Sequence, residues 1–231
     1  MIEIEKPLKP LVLVVLDGWG IAAPGPGNAI GLANKPYFNS IISSFPHTQL
    51  IASGESVGLP KGEPGNSEVG HLNIGAGKIV YQDLPRISSA IADGTFIRNE
   101  VFVKAFENTI KNNSALHLLG LVGTGGVHSS VEHLYALLWA AKEHNVKNVY
   151  LHLFTDGRDS SPTSGLQQLD EIQKKIATIG VGRIASIMGR YWAMDRDKRW
   201  ERTERAYRAM VFGEGQKTVS VGSLIENSYQ K

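Results

Sequence analysis

The 231 residues hold 24 Lys and Arg against 22 Asp and Glu, a formal net charge of +2, and 42% of them are hydrophobic. Near-neutral charge and a high apolar content exclude a global basic field for nucleic acid and a disordered chain, while the length fits about one and a half domains. The chain has no cysteine, which excludes disulfides, thiolate metal sites and a thiol nucleophile. The longest aliphatic run, Leu11 to Leu16, is too short to span a bilayer, and Met1 to Lys6 lacks signal-peptide form. A cytoplasmic chain with no membrane or nucleic-acid partner is therefore expected.

Leu11–Leu16 reads as the first buried parallel strand, because its apolar character is continuous. A short helix is expected near Pro36–Phe45. Two glycine-rich stretches, 18–27 and 54–77, read as structured loops of the kind that carry sites. A composition shift near Tyr81–Ile91 places a domain boundary, dividing the chain into 1–81 and 82–231. A helix from about Val101 to Lys111 precedes a second strand, Leu116–Val122. Ser129 and Glu132 match a capping box that opens a helix to about Glu143. Val149–Phe154 is the third strand. Ser161-Pro162 reads as a cap with a first-turn proline, starting a helix to about Ala177. The last strand is Ile184–Met188, followed by an Arg- and Glu-rich helix over Asp197–Phe212 with Gly213 as its stop. This alternation predicts an α/β fold with mostly parallel sheets and flanking helices. The segment before the boundary is too short and glycine-rich to close a sheet alone, so it is expected to need partner strands from elsewhere.

The polar residues after each strand point to a site. Asp17-Gly18-Trp19-Gly20 follows the first strand, Gly123 to His128 the second, Thr155 to Asp159 the third, and Gly189-Arg190-Tyr191 the fourth. Ligands of open parallel sheets bind at the carboxyl ends of the strands. The last three loops thus carry His128, Arg158, Asp159, Arg190 and Arg196 toward one edge. Several arginines there favour an anionic substrate, phosphate or carboxylate. Plainer readings stand beside these. Asp17 can shape a turn with Gly18, Ser67 can be a helix N-cap rather than a nucleophile, and Asp156-Gly157 is a common turn dipeptide. Arg158 and Asp159 can pair on the surface. From Arg183 to Arg208, eight Arg and Lys stand against four Asp and Glu, as on a solvated helix face. His128 and His133 do not make the HExxH metal pattern.

Taken in order, Leu16-Asp17-Gly18-Trp19-Gly20, Gly65-Asn66-Ser67-Glu68-Val69-Gly70-His71 and onward to Gly77, Gly126-Val127-His128-Ser129, Asp156-Gly157-Arg158-Asp159, Gly189-Arg190-Tyr191 and Met194 to Trp200 resemble the cofactor-independent, manganese-dependent phosphoglycerate mutases of the alkaline phosphatase superfamily. The resemblance runs from Leu11 to about Gly215. It implies a partial alkaline-phosphatase-like domain over 1–81 and part of an inserted phosphotransferase domain over 82–231. It also implies interconversion of 3-phosphoglycerate and 2-phosphoglycerate, a glycolytic step. By position, Asp17 would be a manganese ligand, and Ser67 both ligand and nucleophile, forming a phosphoserine. His128, Arg158, Asp159, Arg190 and Arg196 would bind substrate, with Asp159 as acid/base. Complete members bind two manganese ions and are usually monomers. Their remaining metal ligands lie in a C-terminal half, so this chain alone is expected to be inactive. Gly123-Thr124 stands where the family usually has Ser-Asp, removing a carboxylate beside His128. Two other readings remain: a non-catalytic fragment or interaction module, and another metal-dependent phosphoryl hydrolase of the same superfamily.

Overall fold

A computed structural model describes residues 10–218 and 220–230; the N-terminal segment Met1 to Lys6 lies outside the described residues. The chain forms two compact units, one ending at Tyr81 and one beginning at Gln82.

In the first unit, α1 (Ala29–Leu32) is capped by Asn28, whose side chain accepts from the Gly31 N–H at 2.7 Å. α2 (Pro36–Ser44) starts on a proline, whose missing N–H would lack a partner there anyway. A 3-10 turn spans Gly54–Val57, and α3 covers Ser67–Ala76. Asn73 of α3 donates to the Val57 carbonyl and accepts from the Val80 N–H, tying both flanking segments to this helix. Leu59 and Val69 are the buried apolar side chains among the described residues of this unit.

Leu11–Leu16 is not a strand. The segment lies without a ladder partner, and its side chains are exposed, from 94% at Leu11 to 43% at Val15. A strand exists only through hydrogen bonds to a neighbour, and among the described residues none pairs with it. The apolar pattern encodes burial that these residues do not supply.

The second unit is α/β. α4 (Asp83–Ala92) and α5 (Glu100–Lys111) lead into β1 (Leu116–Val122). Then α6 (Val131–Glu143), β2 (Val149–Thr155), α7 (Gly165–Ile179) and β3 (Arg183–Gly189) follow. α8 (Arg190–Ala193), α9 (Trp200–Val211) and α10 (Val221–Tyr229) complete it. The sheet is parallel, in the order β1-β2-β3. Leu116 pairs with Val149, and Val122 with Thr155. A register shift between Leu151 and His152 brings Gly189 opposite Thr155, so all three strands end together.

The core joins β2 to α6 and α7. Leu138, Leu151, Leu153, Leu169, Ile172 and Ile179 are fully buried, each contributing about 1.5–3 kcal/mol of apolar burial. Among the described residues, β2 is the only strand with the near-continuous burial that its sequence suggested. His117 and Leu119 of β1 face outward, because only one face of that strand is covered among the described residues. No described helix is long and apolar enough to cross a membrane.

Two helix starts differ from the sequence pattern. Ser129 does not cap α6: its hydroxyl donates to the Leu121 carbonyl at 2.8 Å, and Ser130 takes the cap position. The Ser161-Pro162 segment is a turn, closed by the Ser164 N–H and hydroxyl on the Ser161 carbonyl, so α7 begins at Gly165.

His152 is buried at 5% exposure on β2. Its ring bonds His117 at 2.9 Å and the Ser186 hydroxyl at 2.7 Å, bridging the three strands. Burial, then the His117 charge, holds its pKa below the ordinary value; burial does the same for His133. A histidine with a depressed folded pKa takes its proton more readily when unfolded. Stability is therefore complete above the unfolded value of about 6.5 and falls as pH drops through the lower folded values. Thermal melting at pH 7.5 and pH 5 should show a midpoint lower by about 2–4 °C at the acid value. His152→Gln should reduce that difference, and an undiminished one would place the effect elsewhere.

Candidate functional site

The first unit brings Asp17 and Ser67 together. Gly18 turns the chain after Leu16 with φ +76°, a conformation that favours glycine, and the Trp19 N–H closes that turn on the Leu16 carbonyl. The turn reading of Asp17-Gly18 therefore holds, yet the Asp17 side chain does more. Its Oδ2 accepts a short hydrogen bond from the Ser67 hydroxyl.

Ser67 is not the cap of α3. Asn66 caps it, accepting from the Val69 N–H at 3.0 Å. Ser67 thus occupies the first helical position, and its hydroxyl is left for Asp17. The helix N-terminus favours negative charge at this place. Just before the cap, Gly65 lets the chain pass close to the Ala52 carbonyl oxygen, with which a β-carbon there would collide. An exposed hydroxyl held on a carboxylate has a ready proton acceptor, which is what a nucleophile needs.

Manganese prefers octahedral oxygen coordination. Asp17 and Ser67 are two donor side chains, and no group of three or more metal-ligating side chains exists among the described residues. The donors present do not make a complete site for such an ion.

In the second unit, the strand-end loops converge as the parallel topology dictates. A cavity of about 670 Å³ is lined by His128, Arg158, Arg190 and Arg196, together with Asp156 and Arg202. Arg190, 15% exposed at the start of α8, donates to Asp159 Oδ2 at 2.6 Å and to Asp156 Oδ1 at 2.9 Å. His128 Nε2 lies 3.6 Å from the same Asp159 oxygen, near enough for charge attraction but too long for a hydrogen bond. The structure thus brings His128, Asp159 and Arg190 into one constellation. Arg158 and Arg196 share the cavity wall without direct bonds to that trio. Both are exposed and carry no ion pair among the described residues, so their charge is available to an anion.

Sequence reading passed over the carboxylates beneath these arginines. Asp156, taken for a turn residue, has a side chain 1% exposed. Burial alone would raise its pKa, but hydrogen bonds from Arg190, the Arg158 and Gly157 amides and Ser160 outweigh it and hold the carboxyl well below the usual range. Hydrogen bonds to Asp156 and Asp159 push Arg190 further up. Asp195 is 3% exposed and pairs with Arg202 at 3.3 Å. It also accepts from the Arg199 N–H at 2.9 Å, fixing the turn that holds Arg196. This capped turn is why the last long helix begins at Trp200 rather than Asp197. The available signal was position: an aspartate directly after a parallel strand.

A family model described as BPG-independent PGAM N-terminus (iPGM_N) matches residues 87–231. A curated relative from Chloroflexus aurantiacus, "2,3-bisphosphoglycerate-independent phosphoglycerate mutase", is 57% identical over 223 residues, covering 96% of this chain and 41% of its own length. A protein of the same name from Clostridium kluyveri is 55% identical over 221 residues, covering 96% of this chain and 43% of its own. Among solved structures, Leishmania mexicana phosphoglycerate mutase at low cobalt concentration superposes with a TM-score of 0.68 at 31% identity, over 87% of this chain and 38% of that one. The chain spans about two-fifths of the length of the relatives it matches. With an α/β unit whose parallel strands converge on an arginine-lined cavity, the chain belongs to the family of the BPG-independent phosphoglycerate mutase N-terminus.

Proposed function

We propose that the complete protein interconverts 3-phosphoglycerate and 2-phosphoglycerate through a phosphoserine on Ser67, and that these 231 residues do not complete the reaction alone. The observation that carries the reading is the Ser67 hydroxyl bonded to the Asp17 carboxylate at a helix N-terminus. A mutase that works without a bisphosphorylated cofactor needs somewhere to keep the phosphoryl group between two positions of its substrate. A serine with an adjacent base is such a place. The Ser67 oxygen forms the new bond to phosphorus as the ester bond to the substrate oxygen breaks, and Asp17 accepts the hydroxyl proton.

The glycerate left behind is a small anion that must not escape. Arg158, Arg190 and Arg196 suit its carboxylate through charge-assisted hydrogen bonds. Asp159 supplies a proton to the departing oxygen and takes one from the other hydroxyl, and His128 adds a further polar contact. The return transfer breaks the Ser67–phosphorus bond and gives the serine its proton back. Retention separates a mutase from a phosphatase, and it favours this reading over a hydrolase of the same superfamily. Manganese remains the proposed metal of the complete protein, and the two donor side chains leave an octahedral ion in need of donors outside the described residues.

The test is a mutase assay with either phosphoglycerate, run on the complete protein and on this chain with excess manganese. Isomerisation by the complete protein and none by the chain is expected. Release of inorganic phosphate without isomerisation would replace the mutase with a hydrolase.

A further inference from the structure

We infer that Asp156 is the positioning residue of the second unit's site, joining the loops after all three strands through one carboxylate and the Ser160 hydroxyl. The substrate named below rests on the mutase reading; the connection itself does not.

Asp156 accepts from its own loop and from the residue after β3, and Ser160 carries the connection on to the loop after β1. Oδ1 takes the Arg158 N–H at 3.0 Å and the Asp159 N–H at 3.2 Å, which shapes its own loop. The same oxygen takes Arg190 at 2.9 Å, holding the residue that follows β3. Oδ2 takes the Ser160 hydroxyl at 2.8 Å. The Ser160 oxygen then accepts from the Thr124 and Gly125 amides at 2.9 and 3.0 Å, in the loop after β1 that leads to His128. Arg190, Asp159 and the His128 loop thus all refer to one buried group.

The glycines of the β1 loop fit this closeness. A β-carbon on Gly123 would lie 2.6 Å from the Ser160 oxygen and 2.9 Å from the Asp156 β-carbon. One on Gly125 would collide with the Asp159 carbonyl. Gly123-Thr124 is therefore the place where the loop closes on Asp156 and Ser160. With both oxygens taken and its charge held by Arg190, Asp156 has no free capacity for proton transfer. Asp159, bonded at one oxygen by Arg190, keeps that capacity.

The experiment uses the complete protein carrying Asp156→Asn, Ser160→Ala or Ser160→Thr, with hydrogen exchange resolved to single amides and steady-state kinetics on phosphoglycerate. Asp156→Asn should speed exchange about tenfold or more at Arg158, Asp159, Thr124 and Gly125, and raise KM together with a loss in kcat. Ser160→Ala should speed exchange at Thr124 and Gly125 only, and Ser160→Thr, which keeps the hydroxyl, should restore both exchange and KM. Unchanged exchange at Thr124 and Gly125 in Asp156→Asn overturns the connection. A uniform rise across β1, β2 and β3 also overturns it, because Asp156 would then only hold the fold. If Asp156→Asn fails to fold, the Ser160 pair decides: an Ala variant with native exchange and KM overturns the inference. A wild-type protein that exchanges as described but does not isomerise phosphoglycerate removes the mutase reading and leaves the connection standing.

Discussion

Ser67→Ala in the complete protein should abolish the phosphoryl adduct and reduce kcat by about four orders of magnitude or more, the scale on which removal of a covalent nucleophile acts. Intact mass after brief mixing with phosphoglycerate should show a labile adduct on the wild type and none on the variant. The fold should survive the change. Asn66, not Ser67, satisfies the open amide of α3, so truncating Ser67 removes no cap and should shift stability by no more than about 0.5 kcal/mol. Asn66→Ala is the complementary control: it should cost about 1 kcal/mol through the lost cap while keeping the nucleophile. Normal turnover in Ser67→Ala would end the phosphoserine account, and a large stability loss would return Ser67 to a structural role.

The strands of the second unit were legible because each is a short apolar run bounded by polar loops, and β1 and β2 were placed to within a residue. The grouping of His128, Asp159 and Arg190 was legible for the same reason: parallel strands put the following residues at one edge. Leu11–Leu16 shows the limit of such reading. Its pattern states that the segment wants burial on both faces, but pairing depends on strands that local sequence does not name. Hydroxyl residues mark the other limit. Ser67, Ser129 and Ser161 all look like caps, yet the first two hydroxyls answer to Asp17 and to the Leu121 carbonyl, and Ser161 lends its backbone carbonyl to a local turn. A cap motif counts one possible partner, and a tertiary one nearby outcompetes it.

α4 and α10 escaped sequence reading altogether, and of α3 only a start near Ser67 was read. α3 is glycine-rich, which lowers its intrinsic helix propensity, and its start is set by Asn66 and its anchoring by Asn73 rather than by an apolar stripe. Asp156 escaped because Asp-Gly is a frequent turn pair. What distinguishes it is burial, a property of the loops that close over it.

Arg190→Ala should weaken capture of phosphoglycerate by the complete protein by about 2–5 kcal/mol, the usual range for truncating one partner of a buried, hydrogen-bonded charge pair. Two effects combine in that figure. The substrate loses a guanidinium donor, and Asp156 loses the cation that offsets its burial, so the midpoint of thermal unfolding should fall as well. Arg158→Ala and Arg196→Ala separate the two effects. Both side chains are exposed and free of ion pairs among the described residues, so their removal should leave thermal stability unchanged while reducing affinity. Calorimetric titration with phosphoglycerate alongside thermal melting measures both quantities for all three variants. Native affinity in Arg158→Ala and Arg196→Ala, with a loss only in Arg190→Ala, would mean that the cavity's arginines hold the protein together rather than the ligand. A graded loss in all three, with instability confined to Arg190→Ala, is the pattern of a site in which one arginine is braced by carboxylates and two reach out to the anion.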